Sequence, residues 1–349
     1  MFLIRLALAL LCGALAFTAQ ARDYRFSDAH FHYVDFFQES DGIKALLEKM
    51  DESNIDHIMF SGIPVAKKWH ENEPQRPRFY AGDDAAAYWY SATDFIIFRA
   101  MQHVTPEQRK RFHPFLSGFN PNDKNADAHI RRLLEMDPGF WKGLGEVFTR
   151  HDDLTALISG EVPRANNEAM HRIYALAEEF DLPVMVHSNI TSKRERMPLY
   201  LEEIEDPLRY FPKVRFIWAH AGTSKELHRH QDKLEFLFET VKRLLETYPN
   251  LYIDLSWTVL NPYLLNEEGQ ANADWVKLVT DFPDRFMLGS DVVGSFRNMD
   301  KHLNAFIPFL DALPEEVAHK VARDNFLAVL PKEQPKEQPK EQASDQEPE

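Results

Sequence analysis

Asp28-Ala29-His30-Phe31-His32 closes the first of a series of short apolar runs, and its reading decides the fold. Successive side chains on a β-strand point to opposite faces, so residues two apart share one. On that footing His30 and His32 project side by side, close enough to hold one metal ion between two imidazoles. In a loop the same two histidines would be neighbours by accident. The remainder of the chain has to separate these readings.

Seven more β-branched or aromatic runs follow. With the first, they occupy 24–32, 55–61, 112–120, 141–148, 183–188, 214–220, 251–255 and 285–290. Amphipathic patterns of helical period lie between most of them, at 42–52, 126–136, 167–180, 233–248 and 273–280, with a last one at 314–330. Eight strands alternating with helices over about 300 residues predict a (β/α)8 TIM barrel. Periodicity alone would equally serve an open, doubly wound sheet.

The placement of the polar residues favours closure. In a barrel of this kind the active site is built at the C-terminal ends of several strands. His30 and His32 end the first run, Glu146 stands near the end of the fourth, His187 of the fifth and His220 of the sixth. Asp254 falls on the seventh, and Asp291 directly follows the eighth. Singly, each of these is readily a satisfied rim residue. Jointly, imidazoles and carboxylates at so many strand ends predict a metal site.

The 349 residues are 44% hydrophobic, enough for one large core or two ordinary ones. Residues 1–21 read as a secretory signal peptide: Arg5, an apolar run over 6–17, then the small-x-small site Ala19-Gln20-Ala21. That run falls short of the roughly 20 residues a spanning helix needs, so a periplasmic or secreted protein with no membrane span after cleavage is expected. The only cysteine, Cys12, lies in this segment, which leaves a mature chain without disulfides or thiolate ligands. A net charge of −15 argues against a nucleic-acid surface. At the other end Pro331-Lys332-Glu333-Gln334 is repeated at 335–338 and 339–342. A disordered Pro/Lys/Glu/Gln tail over 331–349 is therefore expected beyond a barrel domain of 22–330. The expected partners are a small-molecule substrate and, at most, a second copy of the chain in a homodimer.

Five pieces, in order, carry a family likeness: Asp28-Ala29-His30-Phe31-His32, Gly143-Leu144-Gly145-Glu146-Val147, Val186-His187-Ser188, Trp218-Ala219-His220-Ala221-Gly222 and Leu288-Gly289-Ser290-Asp291. With them the chain resembles the amidohydrolase superfamily over 24–330. Within it, the likeness is to the amidohydrolase-related (amidohydrolase 2) branch, which holds aminocarboxymuconate-semialdehyde decarboxylase and several lactonases and decarboxylases. The resemblance implies one or two divalent ions of the zinc type, with His30, His32 and His187 as ligands and Asp291 as a further ligand or as the base beside a bound water. Such an ion lowers the pKa of water towards ~7. Beside such a water, Asp291 could take its proton and pass it to the leaving group. His220 would orient the water, polarise the scissile group or serve as another ligand. Glu146 would bridge two ions or sit beside the substrate. A carbamylated Lys142 is the alternative bridge; by parity Lys142, Leu144 and Glu146 share a face, with Glu146 nearer the strand's end. Asp254 either belongs to the site or caps the turn after the seventh strand.

Other patterns carry less. His228 and His230 repeat the spacing of the opening pair, but on a helical pattern they point about 200° apart, which predicts two solvated histidines. Gly143-Leu144-Gly145 lacks the third glycine of a dinucleotide loop, and no Gly-x-Ser-x-Gly elbow is present. The longest connection, 64–93, carries Lys67, Lys68, Trp69, His70, Arg76, Arg78 and Tyr80. Cationic and aromatic side chains over a barrel mouth suit a flat, carboxylated substrate. Trp69, Arg76 and Arg78, with Trp257 just past the seventh run, are therefore the predicted substrate contacts. A charged surface excursion is the alternative for that loop. The expected function is an exported metal-dependent hydrolase acting on an amide, ester or lactone. A nonoxidative decarboxylase on the same scaffold and a non-catalytic binding barrel are the alternatives.

Overall fold

The protein's structure is a computed structural model and describes residues 23–69, 72, 74–76, 85–151 and 154–332. The expected signal peptide and nearly all of the repeat tail lie outside the described residues, as do Arg78, His70 and Tyr80. Strand β1 comes in two pieces, Phe26–Asp28 and Phe31–His32. It is followed by β2 (Ile55–Ser61), β3 (Phe112–Leu116), β4 (Gly143–Phe148) and β5 (Val184–His187). Then come β6 (Phe216–Trp218), β7 (Leu251–Asp254) and β8, again in two pieces, Phe286–Met287 and Val292–Val293. Each strand pairs in parallel with the next, and the last returns to the first, Val292 opposite Phe31 and Val293 opposite His32. Below that pair, the Ala29 amide donates to Leu288 O at 2.9 Å and the Asp291 amide to His30 O at 2.8 Å. The sheet is therefore closed, as the strand-end residues predict.

Helices on the outside link the strands: α1 (Ile43–Glu52), α2 (Thr93–Met101), α3 (Ala126–Met136), α4 (Glu168–Glu179), α5 (Leu201–Tyr210), α6 (Leu237–Thr247) and α7 (Ala273–Asp281). Their sequences explain their docking. In α3 the buried residues are Ala126, Ile130 and Leu134, one stripe at four-residue spacing. Helix α4 starts where the Asn167 side chain accepts from the Met170 amide. The predicted helix over 233–248 begins only at Leu237; ahead of it Lys225–Gln231 forms a short helix of its own, which ends at Asp232 with φ of 55°.

Alternation along the strands divides the core in two. Phe26, Val184, Phe216, Ile253 and Phe286 face the helices in a large outer cluster. Ala29, Met59, Phe115, Met185, Ile217 and Met287 fill the barrel's interior, where Phe326 and Val329 from the C-terminal helix close the lower end. That plug is pinned by polar bonds: the Asn325 amide group donates to Pro283 O and Phe286 O, both at 2.8 Å, and Arg215 donates to Val329 O. With the bottom sealed by side chains, the open end lies above the strand C-termini. The 64–93 connection is not irregular throughout, since Val65–Lys67 pairs antiparallel with Ala87–Trp89. Among the described residues no helix is long and apolar enough to cross a membrane.

Candidate metal centre

Strand β1 is interrupted at Ala29 and His30, where it passes Gly289 of β8. A Cβ on Gly289 would lie 2.4 Å from the Cβ of His30, so only glycine admits the close approach. Despite this break, the His30 and His32 rings stand 5.3 Å apart at the upper end of the barrel. The two histidines do share a face.

Glu146 reaches the same place by a different route. The pairing of β4 with β5 shifts register between Leu144 and Val147. In that shift lies Gly145, with φ of +120° and room for no Cβ beside the Met185 carbonyl oxygen, which would lie 2.4 Å away. The irregularity leaves Leu144 in the outer core and turns Glu146 inward. The parity argument that put Leu144 and Glu146 on one face is thereby corrected. Lys142 lines a separate cavity with Phe112 and His113, at the N-terminal ends of the strands.

His220 and Asp291 are also aimed by their backbone. Ala219 faces the interior, so a continuing strand would send His220 outward. Instead His220 and Ala221 are left-handed, with φ of 53° and 51°, and the turn finishes on Gly222, against which the Trp218 ring packs. Asp291, with φ of 49°, makes the equivalent turn after the first piece of β8.

The donor atoms converge. Nε2 of His30 and Nε2 of His32 each lie 3.1 Å from Glu146 Oε2, and 3.5 and 3.6 Å from Asp291 Oδ1. Nε2 of His220 is 3.7 Å from Asp291 Oδ2 and 4.0 Å from Glu146 Oε1. Two sets of ligand atoms lie within 4.8 Å of one another: His30, His32 and Asp291, and His30, Glu146 and His220. His187 is brought to Glu146 Oε1, 3.0 Å from its Nδ1, rather than into either set, and its Nε2 faces Asn189 Oδ1 at 3.0 Å.

Partners on the far side of each ring assign the protons. His30 Nδ1 donates to Asp254 Oδ2 at 2.7 Å and His32 Nδ1 to the Gly62 carbonyl at 3.0 Å. Ser256 Oγ donates to Asp254 Oδ2 and so accepts from His220 Nδ1 at 2.8 Å. All three Nε2 lone pairs are left facing two carboxylates. His30 Nε2 is fully buried and has no hydrogen-bond partner. Lone pairs assembled this way repel one another until a cation sits between them. Three imidazole nitrogens with carboxylate oxygens are a fitting donor set for a divalent ion.

The field at this point is correspondingly cation-seeking. Burial opposes charge on His30, but the carboxylates of Glu146, Asp291 and Asp254 outweigh it and hold the imidazole well above its ordinary range, so that without an ion its Nε2 takes up a proton, which a bound ion would displace. Burial likewise works against Glu146, yet His30, His187 and His32 hold its carboxyl well below the usual value. Burial keeps His220 below the ordinary histidine range. Asp254 has both roles that the sequence allowed, since its other oxygen caps the turn by accepting from the Ser256 amide at 2.9 Å.

Above the centre lies a cavity of about 820 Å³. His32, Glu146, His187, His220 and Asp291 form its floor, and Phe36, Ile63, Phe148, Leu154, Trp257 and Val292 its walls. Of the predicted substrate contacts Trp257 is in place, its ring 6.0 Å from that of His220. Trp69 and Arg76 are not in the lining: Trp69 is exposed on the surface, and Arg76 lies over Phe37 and pairs with Glu39 at 3.0 Å. Sequence reasoning missed His151, which stacks on His187 at 4.1 Å and which burial and His187 hold well below the ordinary histidine range. It also missed Ser256, Lys225 and Arg297. His228 is not solvated as predicted but packs on Tyr263, its Nε2 3.2 Å from the hydroxyl, and burial lowers its pKa to about 4.

No curated protein matches the sequence. Among solved structures, an uncharacterised TIM-barrel protein from Bordetella bronchiseptica shares 13% identity at a TM-score of 0.53, over 87% of this chain and 99% of its own. A probable 2-pyrone-4,6-dicarboxylic acid hydrolase from Acinetobacter baumannii shares 12% at 0.53, over 87% and 98%. Both likenesses are of fold. The amidohydrolase family profile matches residues 27–332, which takes in every strand after the first residue of β1 and every residue of the centre. With barrel, strand-end donors and family match in agreement, this chain belongs to the amidohydrolase family and is an enzyme of the amidohydrolase type.

Proposed function

We propose that the chain is an exported hydrolase that uses one divalent ion, zinc by the nitrogen-and-oxygen character of the donors, to cleave an ester, lactone or amide. The observation that carries this is the convergence of the His30, His32 and His220 Nε2 lone pairs on Glu146 and Asp291. Both candidate ligand sets use His30, whose Nδ1 is committed to Asp254. Its single free lone pair serves one ion, so the two sets are not filled at once, which supports a single ion.

An ion bound there polarises a carbonyl and acidifies water. The chain's own residues do the rest. Asp291, whose side chain is 11% exposed and lines the cavity, is placed to take the water's proton and return it to the leaving group. His220, held neutral with its Nε2 lone pair towards Asp291, is placed to hold an ion or to accept from the water and so orient it. Glu146 and His187 fix the far side of the floor, and the apolar walls limit bulk water around the reacting group.

The test is metal analysis of the full chain as it is purified, followed by a screen of lactones, esters, amides and aromatic acids for product and for carbon dioxide. One zinc per chain, lost in His30→Ala together with hydrolysis, is expected. Full activity of His30→Ala would sink the reading. Carbon dioxide release without hydrolysis would move the chain to decarboxylation.

A further inference from the structure

The charges at the cavity mouth are unequally engaged. Three carboxylates line it beyond the floor, and each is already in use. Asp35 accepts from the amides of Phe37 and Glu39 at 2.7 and 3.0 Å. Asp41 accepts from the Ser295 hydroxyl and the Phe296 amide, both at 3.0 Å, and Glu39 pairs with Arg76. Lys225 and Arg297 also line the cavity, and among the described residues neither has a carboxylate within 4.0 Å. The Lys225 ammonium lies 5.7 Å from the centre of the Trp257 ring, which in turn stands against His220. Arg297 makes only a long 3.4 Å bond to Ser295. In a chain of net charge −15, two unspent cations over an apolar-walled cavity are the groups left to meet a ligand.

We infer that Lys225 and Arg297 form a clamp for a carboxylate carried by the substrate, at the end remote from the bond that is cleaved. This rests on the floor being the reacting centre. Side chains rather than backbone would do the recognising, which favours a planar carboxylate over a phosphate. The amides of Gly294, Ser295 and Phe296 beside Arg297 are already given to His32 O, Val293 O and Asp41, so no nest of free amides remains for a phosphate. The substrate class is then an ester, lactone or amide with a carboxylate at the far end of an apolar or flat body.

The clamp is tested by calorimetric binding of glutarate and of acetate to the zinc-loaded full chain, in the wild type and in Lys225→Met/Arg297→Gln. Acetate has one carboxylate, which the zinc at the floor competes for first, whereas glutarate carries a second that is free for the mouth. About a tenfold or greater loss of glutarate affinity in the double variant, with a smaller loss for acetate, is expected for removal of charge-assisted contacts. No glutarate binding to the wild type, or equal losses for the two anions, would overturn the clamp. In parallel, the ratio of kcat/KM for mono(4-nitrophenyl) glutarate over 4-nitrophenyl valerate should fall in the variant by a similar factor. Binding as expected with neither ester hydrolysed would leave the clamp standing and count against the hydrolase reading. An unchanged ratio counts against the clamp.

Discussion

Asp254 never touches the proposed ion, yet replacing it should cost the protein much of its metal affinity. The buried carboxylate only accepts: from His30 Nδ1 at 2.7 Å, the His220 amide at 3.3 Å and the Ser256 hydroxyl on one oxygen, and from the Ser256 amide at 2.9 Å on the other. Asp254→Asn keeps the shape but turns one acceptor into an NH2 donor, which must meet a donor whichever way the amide is flipped. With the amide NH2 towards His30, the imidazole takes the other tautomer and presents N–H, not a lone pair, to the centre. With the oxygen towards His30, the turn at Ser256 is broken, and with it the serine that orients His220. Losses of this kind run to 10–100-fold in metal affinity, about 1.4–2.7 kcal/mol. Zinc titration against a chromophoric chelator measures this directly. At fixed free zinc the holoprotein should also lose about the same free energy of unfolding. Asp254→Asn binding zinc as tightly as the wild type would refute the reasoning, because the tautomer of His30 would then owe nothing to its partner.

Three further outcomes are expected. Gly289→Ala places a Cβ 2.4 Å from that of His30; the ring must move, and stability should drop by about 1–3 kcal/mol, with a weaker zinc titration than wild type. A variant with wild-type zinc affinity would show that the approach is slack. Phe326→Ala removes the 1%-exposed plug below Phe115, and urea unfolding should report a loss of about 3–5 kcal/mol; a loss under one would mean the lower core collapses to fill the space. His113 is held to a pKa of about 3 by burial, with His57 and Lys142 adding to the depression. Its native form stays neutral while the unfolded chain takes up a proton below the ordinary histidine value, so stability falls with pH from about 6.5 towards 3 at about 1.4 kcal/mol per unit. Unfolding curves of wild type and His113→Gln across that window should diverge by this slope, and parallel curves would show that His113 titrates normally.

The barrel was legible because its signals are local: apolar runs of strand length, helical stripes such as Ala126, Ile130 and Leu134, and polar residues where each run stops. The same logic named most of the side chains that the fold brings together, though not always for the right reason, and it counted His187 with the ligand sets that the fold leaves it out of. Glu146 faces inward because β4 shifts register at Gly145, and His220 because of a left-handed turn; neither follows from a two-residue period. Ser256 and His151 were missed because nothing local separates them from ordinary loop residues. Their meaning comes from His220 and His187, which neighbouring strands bring to them. Arg76 shows the converse. Its loop looked suited to a substrate, but Glu39, distant in sequence, had already taken its charge.

The seam between β1 and β8 has a consequence for when the protein acquires its metal. His30 and His32 are among the first residues of the barrel, while Asp291 and the Gly289 that lets His30 approach belong to its last strand. A growing chain therefore holds His30 without the strand that seats it until the barrel closes, although Glu146 and His220 are already present. A divalent ion would meet every donor of both sets only once the final strand docks, so the metal supply at the moment of closure would bear on which ion is taken up.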